Sequence, residues 1–210
     1  MRKPVMNKRY YYVKIAIDVI IAAIVLLILS PLLLIIALLI RLTSKGPVYF
    51  KQARLGQHGN IFYIHKFRTM IVNAPDIRNA DGTTFNSAND SRVTSIGKFL
   101  RKTSLDELPQ LIDVILLDMS IVGPRPELPE CINIMSSEQK IKLDVKPGMT
   151  GWAVIHGRNN VPINERRNLD AWYAQNYSFL IDWKIIFKTF VMVLMSEGYI
   201  NDHSKQHNKN

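Results

Sequence analysis

Acid is scarce at the start of this sequence. Asp18 is the only carboxylate before Asp76, while Arg2, Lys3, Lys8, Arg9, Lys14, Arg41, Lys45, Lys51 and Arg54 all fall in the same stretch. Cysteine is nearly absent too. Cys131 stands alone, which excludes an intrachain disulfide and a cysteine-rich zinc site and fits a reducing, cytoplasm-facing location. The histidines, at 58, 65, 156, 203 and 207, show no metal-ligand spacing inside the folded part, which argues against structural zinc. Walker, Gly-x-Gly-x-x-Gly and Gly-x-Ser-x-Gly motifs are missing, as are internal repeats.

What is present is cationic. The 210 residues suit one compact domain with appendages, and 27 Lys and Arg against 17 Asp and Glu leave a net charge of +10. Such a balance asks for an anionic partner: nucleic acid, an acidic membrane surface or a phosphorylated substrate.

Val19 to Ile40 is apolar throughout, apart from Ser30-Pro31 at its centre. As one helix the run would reach about 33 Å, enough for a hydrocarbon core of about 30 Å. Tyr10-Tyr11-Tyr12 sits where amphipathic rings lie at a membrane interface. Pro31 removes a backbone donor and predicts a kink or break, with the Ser30 hydroxyl returning a bond to Leu26. Basic residues flank both ends, so the positive-inside tendency places both on the cytoplasmic face. Two arms of about 18 Å are each too short to cross. A kinked transmembrane helix is the alternative; the double basic flank favours a re-entrant hairpin broken at Ser30 and Pro31. The expected segments are a basic N-terminus (1–14), a re-entrant membrane helix (15–41), a cytoplasmic catalytic domain (42–198) and a polar tail (199–210).

The fold class expected is α+β and mainly helical. Val48-Tyr49-Phe50 and Ile61-Phe62-Tyr63-Ile64, around Gly56-Gln57-His58-Gly59, predict a small β-hairpin over 46–70. Residues 73–95 read as a long loop. Leu105, Leu108, Leu111, Ile112, Ile115 and Leu116 predict a helix from Ser104, stopped at Gly123-Pro124-Arg125-Pro126. Arg166 to Tyr177 reads as helix. Trp183 to Met195, with Lys184 and Lys188, reads as an amphipathic interfacial helix beside the cytoplasmic core.

The chemistry centres on Asp106-Glu107. Lys98, Arg101 and Lys102 precede this acid pair, and Arg125 follows between two prolines. A carboxylate among cations stays ionised and can meet a polyanion that those cations draw in. A place in the first helical turn would add the helix dipole to this effect. The other reading of Ser104-x-x-Glu107 is a capping box, which serves the helix alone. Arg125 on a proline-stiffened backbone suits a phosphate clamp. A hard, oxygen-ligated ion such as Mg²⁺ would use Asp106 and substrate phosphates.

These pieces resemble the bacterial sugar transferases, the small monotopic phosphoglycosyl transferases, over roughly residues 10–197. The resemblance rests on Ser30-Pro31, Lys66-Phe67-Arg68-Thr69-Met70, Gly97 to Arg101 with Leu105 to Leu111, Asp118 to Pro126, and Lys146 to Trp152. It implies transfer of a sugar-1-phosphate from a UDP-sugar to undecaprenyl (polyprenyl) phosphate, with UMP leaving. Asp106 would be the nucleophile and Mg²⁺ ligand, and Glu107 would position groups or handle a proton. Lys66, Arg101 and Arg125 would bind substrate. The setting implied is the bacterial inner membrane, with the catalytic domain on the cytoplasmic face. Membrane lipids and downstream glycosyltransferases would be partners; nucleic acid would not. Asn164 departs from the tryptophan of many relatives.

Two alternatives compete. A membrane-anchored basic adaptor for acidic lipid or nucleic acid explains the charge but has no use for Asp106-Glu107. A metal-dependent pyrophosphatase would use the same carboxylates without a lipid acceptor. The residues leave the sugar and the polymer open.

Overall fold

The computed structural model describes residues 8–77, 85, 87, 90–157 and 161–195. The start of the basic segment, much of the 73–95 loop, Arg158-Asn159 and the tail lie outside the described residues. What is described is mainly helical, with one long apolar N-terminal helix and two small two-stranded sheets.

Helix α1 spans Lys8–Thr43 and contains Pro31 in its interior. Its apolar stretch is long enough to cross a membrane. The expected break at Ser30-Pro31 does not end the helix, because proline withdraws one donor while the turns on either side keep theirs. The Ser30 hydroxyl donates to the Leu27 carbonyl at 2.8 Å, one residue later than the Leu26 expected. A helical serine reaches either the i−3 or the i−4 carbonyl.

Both arms of α1 rest on the same body. Ala22, with Val25 and Leu26, packs on Phe62, Ile64, Leu111, Val114 and Met119. Past the proline, Ile36 and Ile40 pack on Phe67 and Leu100. The opposite face is bare: Leu27 is 76% and Leu34 73% exposed, an apolar stripe that calls for lipid rather than water.

The predicted hairpin forms. Strands β1 (Tyr49–Leu55) and β2 (Ile61–Phe67) pair antiparallel, with Phe50 opposite Lys66 and Lys51 opposite His65. Helix α2 (Ser95–Thr103) follows the loop, where no helix was expected; the Thr94 hydroxyl caps it by accepting the Gly97 N–H at 3.0 Å. Gly97 lies so close to the Thr69 backbone that a Cβ would overlap it.

The single helix expected from Ser104 is divided. Ser104 takes a left-handed conformation (φ 57°) that ends α2, a 3-10 turn covers Leu105–Glu107, and α3 runs only over Gln110–Ile115. The leucine spacing was legible, but Pro109 restarts the chain. A parallel pair, β3 (Ser120–Val122) with β4 (Gly148–Thr150), was not foreseen, since three-residue strands carry no period. Gly123 and Gly148 pack backbone to backbone there, leaving no room for a side chain. After α4 (Ser137–Lys140) come α5 (Ile163–Asn176) and α6 (Phe179–Leu194), the latter capped by Ser178. Tyr173 and Ile185 from these helices bury against Val122 and Ile155. Leu180, Trp183, Phe187, Phe190 and Leu194 leave the outer side of α6 apolar and exposed.

Candidate active site

Three segments converge on Glu107. Its Oε1 lies 2.7 Å from Lys66 Nζ on β2 and 3.7 Å from an Arg125 terminal nitrogen. Lys66 and Glu107 are mostly covered, while the Arg125 side chain is 44% exposed and open to an incoming anion. Arg101, near the end of α2, donates from Nε to the Thr69 hydroxyl at 2.8 Å, which holds the guanidinium beside β2. The site residues read from the sequence thus come together, except Ser30 and Pro31, which lie within α1.

Asp106 is half-buried between these groups. Burial pushes its carboxyl up to about 6, the Glu107 charge adds to the rise, and Lys66 and Arg101 oppose it. This corrects the expectation that cations and a helix dipole set its ionisation: desolvation outweighs the cations. Nor does a helix dipole act as expected, because Asp106 sits in a one-turn 3-10 segment ahead of a six-residue helix. The capping-box reading fails as well. The Ser104 side chain makes no cap bond, and Glu107 engages Lys66.

Behind Arg125 lies a buried charge network. Lys142 Nζ meets Asp170 at 2.7 Å and Glu127 at 2.9 Å, and Arg167 meets Glu127 at 2.8 Å. These partners hold the Glu127 carboxyl down to about 2 against the effect of burial. Arg54 donates to the Pro126 carbonyl at 3.3 Å, and the Pro124 carbonyl accepts the Gly148 N–H at 2.9 Å. Arg125 therefore leaves a backbone fixed from several sides.

The whole arrangement is a carboxylate among cations, mounted beside an apolar surface. The chain matches the family described as bacterial sugar transferase over residues 9–196. It belongs to the bacterial sugar transferase family. The uncharacterized sugar transferase EpsL of Bacillus subtilis strain 168 is 43% identical over 169 residues, 80% of this chain and 81% of that protein. The exopolysaccharide production protein ExoY of Rhizobium meliloti strain 1021 is 39% identical over 192 residues, 86% of this chain and 85% of that protein. The UDP-glucose:undecaprenyl-phosphate glucose-1-phosphate transferase of Escherichia coli K12 is 40% identical over 192 residues, which are 88% of this chain but 39% of that longer protein.

In this sugar transferase no group of three or more His, Cys, Asp or Glu forms a metal cage among the described residues. The donor set fits Mg²⁺ in another way. Two adjacent carboxylates repel, and Asp106 has no ion pair within 4 Å among the described residues, so a hard cation shared with substrate phosphates suits the site. Thr69 was missed as the anchor of Arg101, although the Lys66–Met70 motif had marked the segment. The Glu127–Lys142–Asp170–Arg167 network was also missed, because its members lie far apart in sequence.

Proposed function

We propose that this sugar transferase moves a sugar-1-phosphate from a UDP-sugar to undecaprenyl phosphate, with Asp106 carrying the phosphosugar in between. The observation that carries the reading is the half-buried Asp106 carboxyl beside the Lys66–Glu107–Arg125 cluster. Relatives named for the same transfer support it. Family membership sets the adaptor reading aside.

In the first step an Asp106 oxygen attacks the β-phosphorus. The bond from that phosphorus to the bridging oxygen breaks, and UMP leaves with the electron pair. In the second step an oxygen of the lipid phosphate attacks the same phosphorus, and the Asp106 carboxylate is released. Both steps balance with every group ionised. Glu107 therefore needs to carry no proton, and its contact with Lys66 supports a positioning role. Lys66, Arg101 and Arg125 offset the phosphate charge that two meeting anions would otherwise oppose. Bound Mg²⁺, held by Asp106, would supply further charge neutralisation.

The same reading places the protein in the bacterial inner membrane, with its body on the cytoplasmic face and α1 entering and leaving there. Both arms of α1 pack on one body, as that topology requires. The lipid-linked product then calls for glycosyltransferases that extend it.

The test is intact-protein mass spectrometry with UDP-sugars, Mg²⁺ and no acceptor. A phosphosugar adduct on wild type, absent in Asp106→Asn, is expected together with ping-pong kinetics. Rates that require both substrates bound together, with no adduct from the donor that turns over, replace the covalent scheme with direct transfer.

A further inference from the structure

Asp113 is a buried carboxylate that the reaction above does not use. It is 0% exposed, and both its oxygens serve one residue. The His65 backbone N–H donates to Oδ2 at 2.9 Å, and His65 Nδ1 lies 2.5 Å from Oδ1. Among the described residues Asp113 has no other ion pair.

The two ends of this contact lie next to two of the segments that build the site. His65 precedes Lys66 on β2, and Asp113 lies on α3, just after the Asp106-Glu107 turn. His65–Asp113 and Lys66–Glu107 are thus two rungs between the same segments. The two rungs fix consecutive residues of β2.

The inner rung depends on protons. The Nδ1–Oδ1 contact needs one proton; a second, on Nε2, makes the pair net neutral. Without the second, one unbalanced negative charge remains in the interior, which is costly. Burial already pushes the Asp113 carboxyl up, and the bonds from His65 oppose that rise. The surrounding charges are few. Lys51 faces His65 from β1 but is exposed; Lys66 is held by Glu107; Asp118, beyond α3, repels Asp113. Ala22 of α1 and Leu111 and Val114 of α3 belong to one buried apolar cluster with Ile64, the residue before His65.

We propose that His65 and Asp113 form a proton-dependent positioning pair that seats Lys66 against Glu107 and keeps uncompensated negative charge from building up behind the donor site. The proposal rests on the transferase reading of Lys66 and Glu107. Deprotonation of the pair places a bare negative charge one residue from Lys66, and the anionic donor then binds less well.

The test uses the full chain in detergent or nanodiscs. Wild-type kcat/KM for the UDP-sugar is expected to fall about tenfold on the alkaline side, chiefly through KM. Asp113→Asn keeps a carbonyl to accept the His65 N–H and an amide to face Nδ1, but carries no charge. It should fold, turn over near the wild-type optimum rate and lose that alkaline limb. His65→Gln, which cannot be protonated, should lose the limb too. A limb unchanged in both variants overturns the proposal, whatever happens to Tm. Imidazole ¹⁵N NMR of His65 reads the pair without turnover: identical titration in wild type and Asp113→Asn also overturns it. Failure of wild type to turn over any UDP-sugar, with distinct titrations, counts against the transferase reading and not the pair.

Discussion

Lys66 and Glu107 meet at 2.7 Å and join the second strand of the hairpin to the turn that carries Asp106. The contact fixes the lysine where it lowers the carboxyl of Asp106 and leaves Arg125 only loosely engaged, at 3.7 Å.

Glu107→Gln should therefore lose at least about tenfold in kcat/KM, as expected when one partner of a mostly covered ion pair is removed. The phosphosugar adduct should still form, slowly, since the nucleophile remains. Rapid-quench measurement of adduct formation checks this. A variant that forms adduct at the wild-type rate would remove Glu107 from the positioning role.

Asp106 has a cost in the resting protein. Its carboxyl is raised from 3.8 to about 6, so folding favours its protonated form. Stability from this group is full below about pH 4, falls as the pH rises through 6, and stays lower above that. In EDTA at pH 7, Asp106→Asn is expected to be more stable than wild type by on the order of 2 kcal/mol. The gain should vanish near pH 4. Thermal melts of both proteins across that range decide the point; a gain that grows toward low pH would contradict the sign.

Arg125 projects from a stiff backbone and is the most open cation of the site. Arg125→Ala should reduce transfer by two or more orders of magnitude while Tm and membrane partition stay near wild type. Arg125→Lys should recover little, because a point charge does not reproduce a guanidinium fork. Full activity in Arg125→Ala would exclude it from phosphate binding.

Topology is testable by single-cysteine labelling on a Cys131→Ser background. Position 9, in the first turn of α1, and position 51, on β1, should both resist an impermeant external reagent in intact cells. Labelling of position 9 alone would mean that α1 crosses the bilayer.

Composition and motif made much of this legible. The apolar run, the hairpin and the grouping of Asp106 and Glu107 with Arg101 and Arg125 followed from residue type and spacing, while Lys66 came only through the family resemblance. What escaped depended on distance in the chain. Asp113 finds His65 across 48 positions and Lys142 finds Asp170 across 28, and no local pattern encodes such meetings. The three-residue strands β3 and β4 are too short for a period, and the left-handed Ser104 is invisible in a leucine repeat.

Arg68 lies in the motif between Lys66 and Thr69. Its buried guanidinium donates to the Lys45 carbonyl and to the carbonyl and hydroxyl of Ser44, and so closes the end of α1. Four consecutive residues thus tie the exit of the apolar helix to Lys66 on one side and, through Thr69, to Arg101 on the other. Such a short link acts as a ruler. On the proposed reaction and topology, the elevation of the cationic cluster over the lipid surface is a built-in length, and an acceptor phosphate anchored by its own hydrocarbon tail would have to arrive at that height to react.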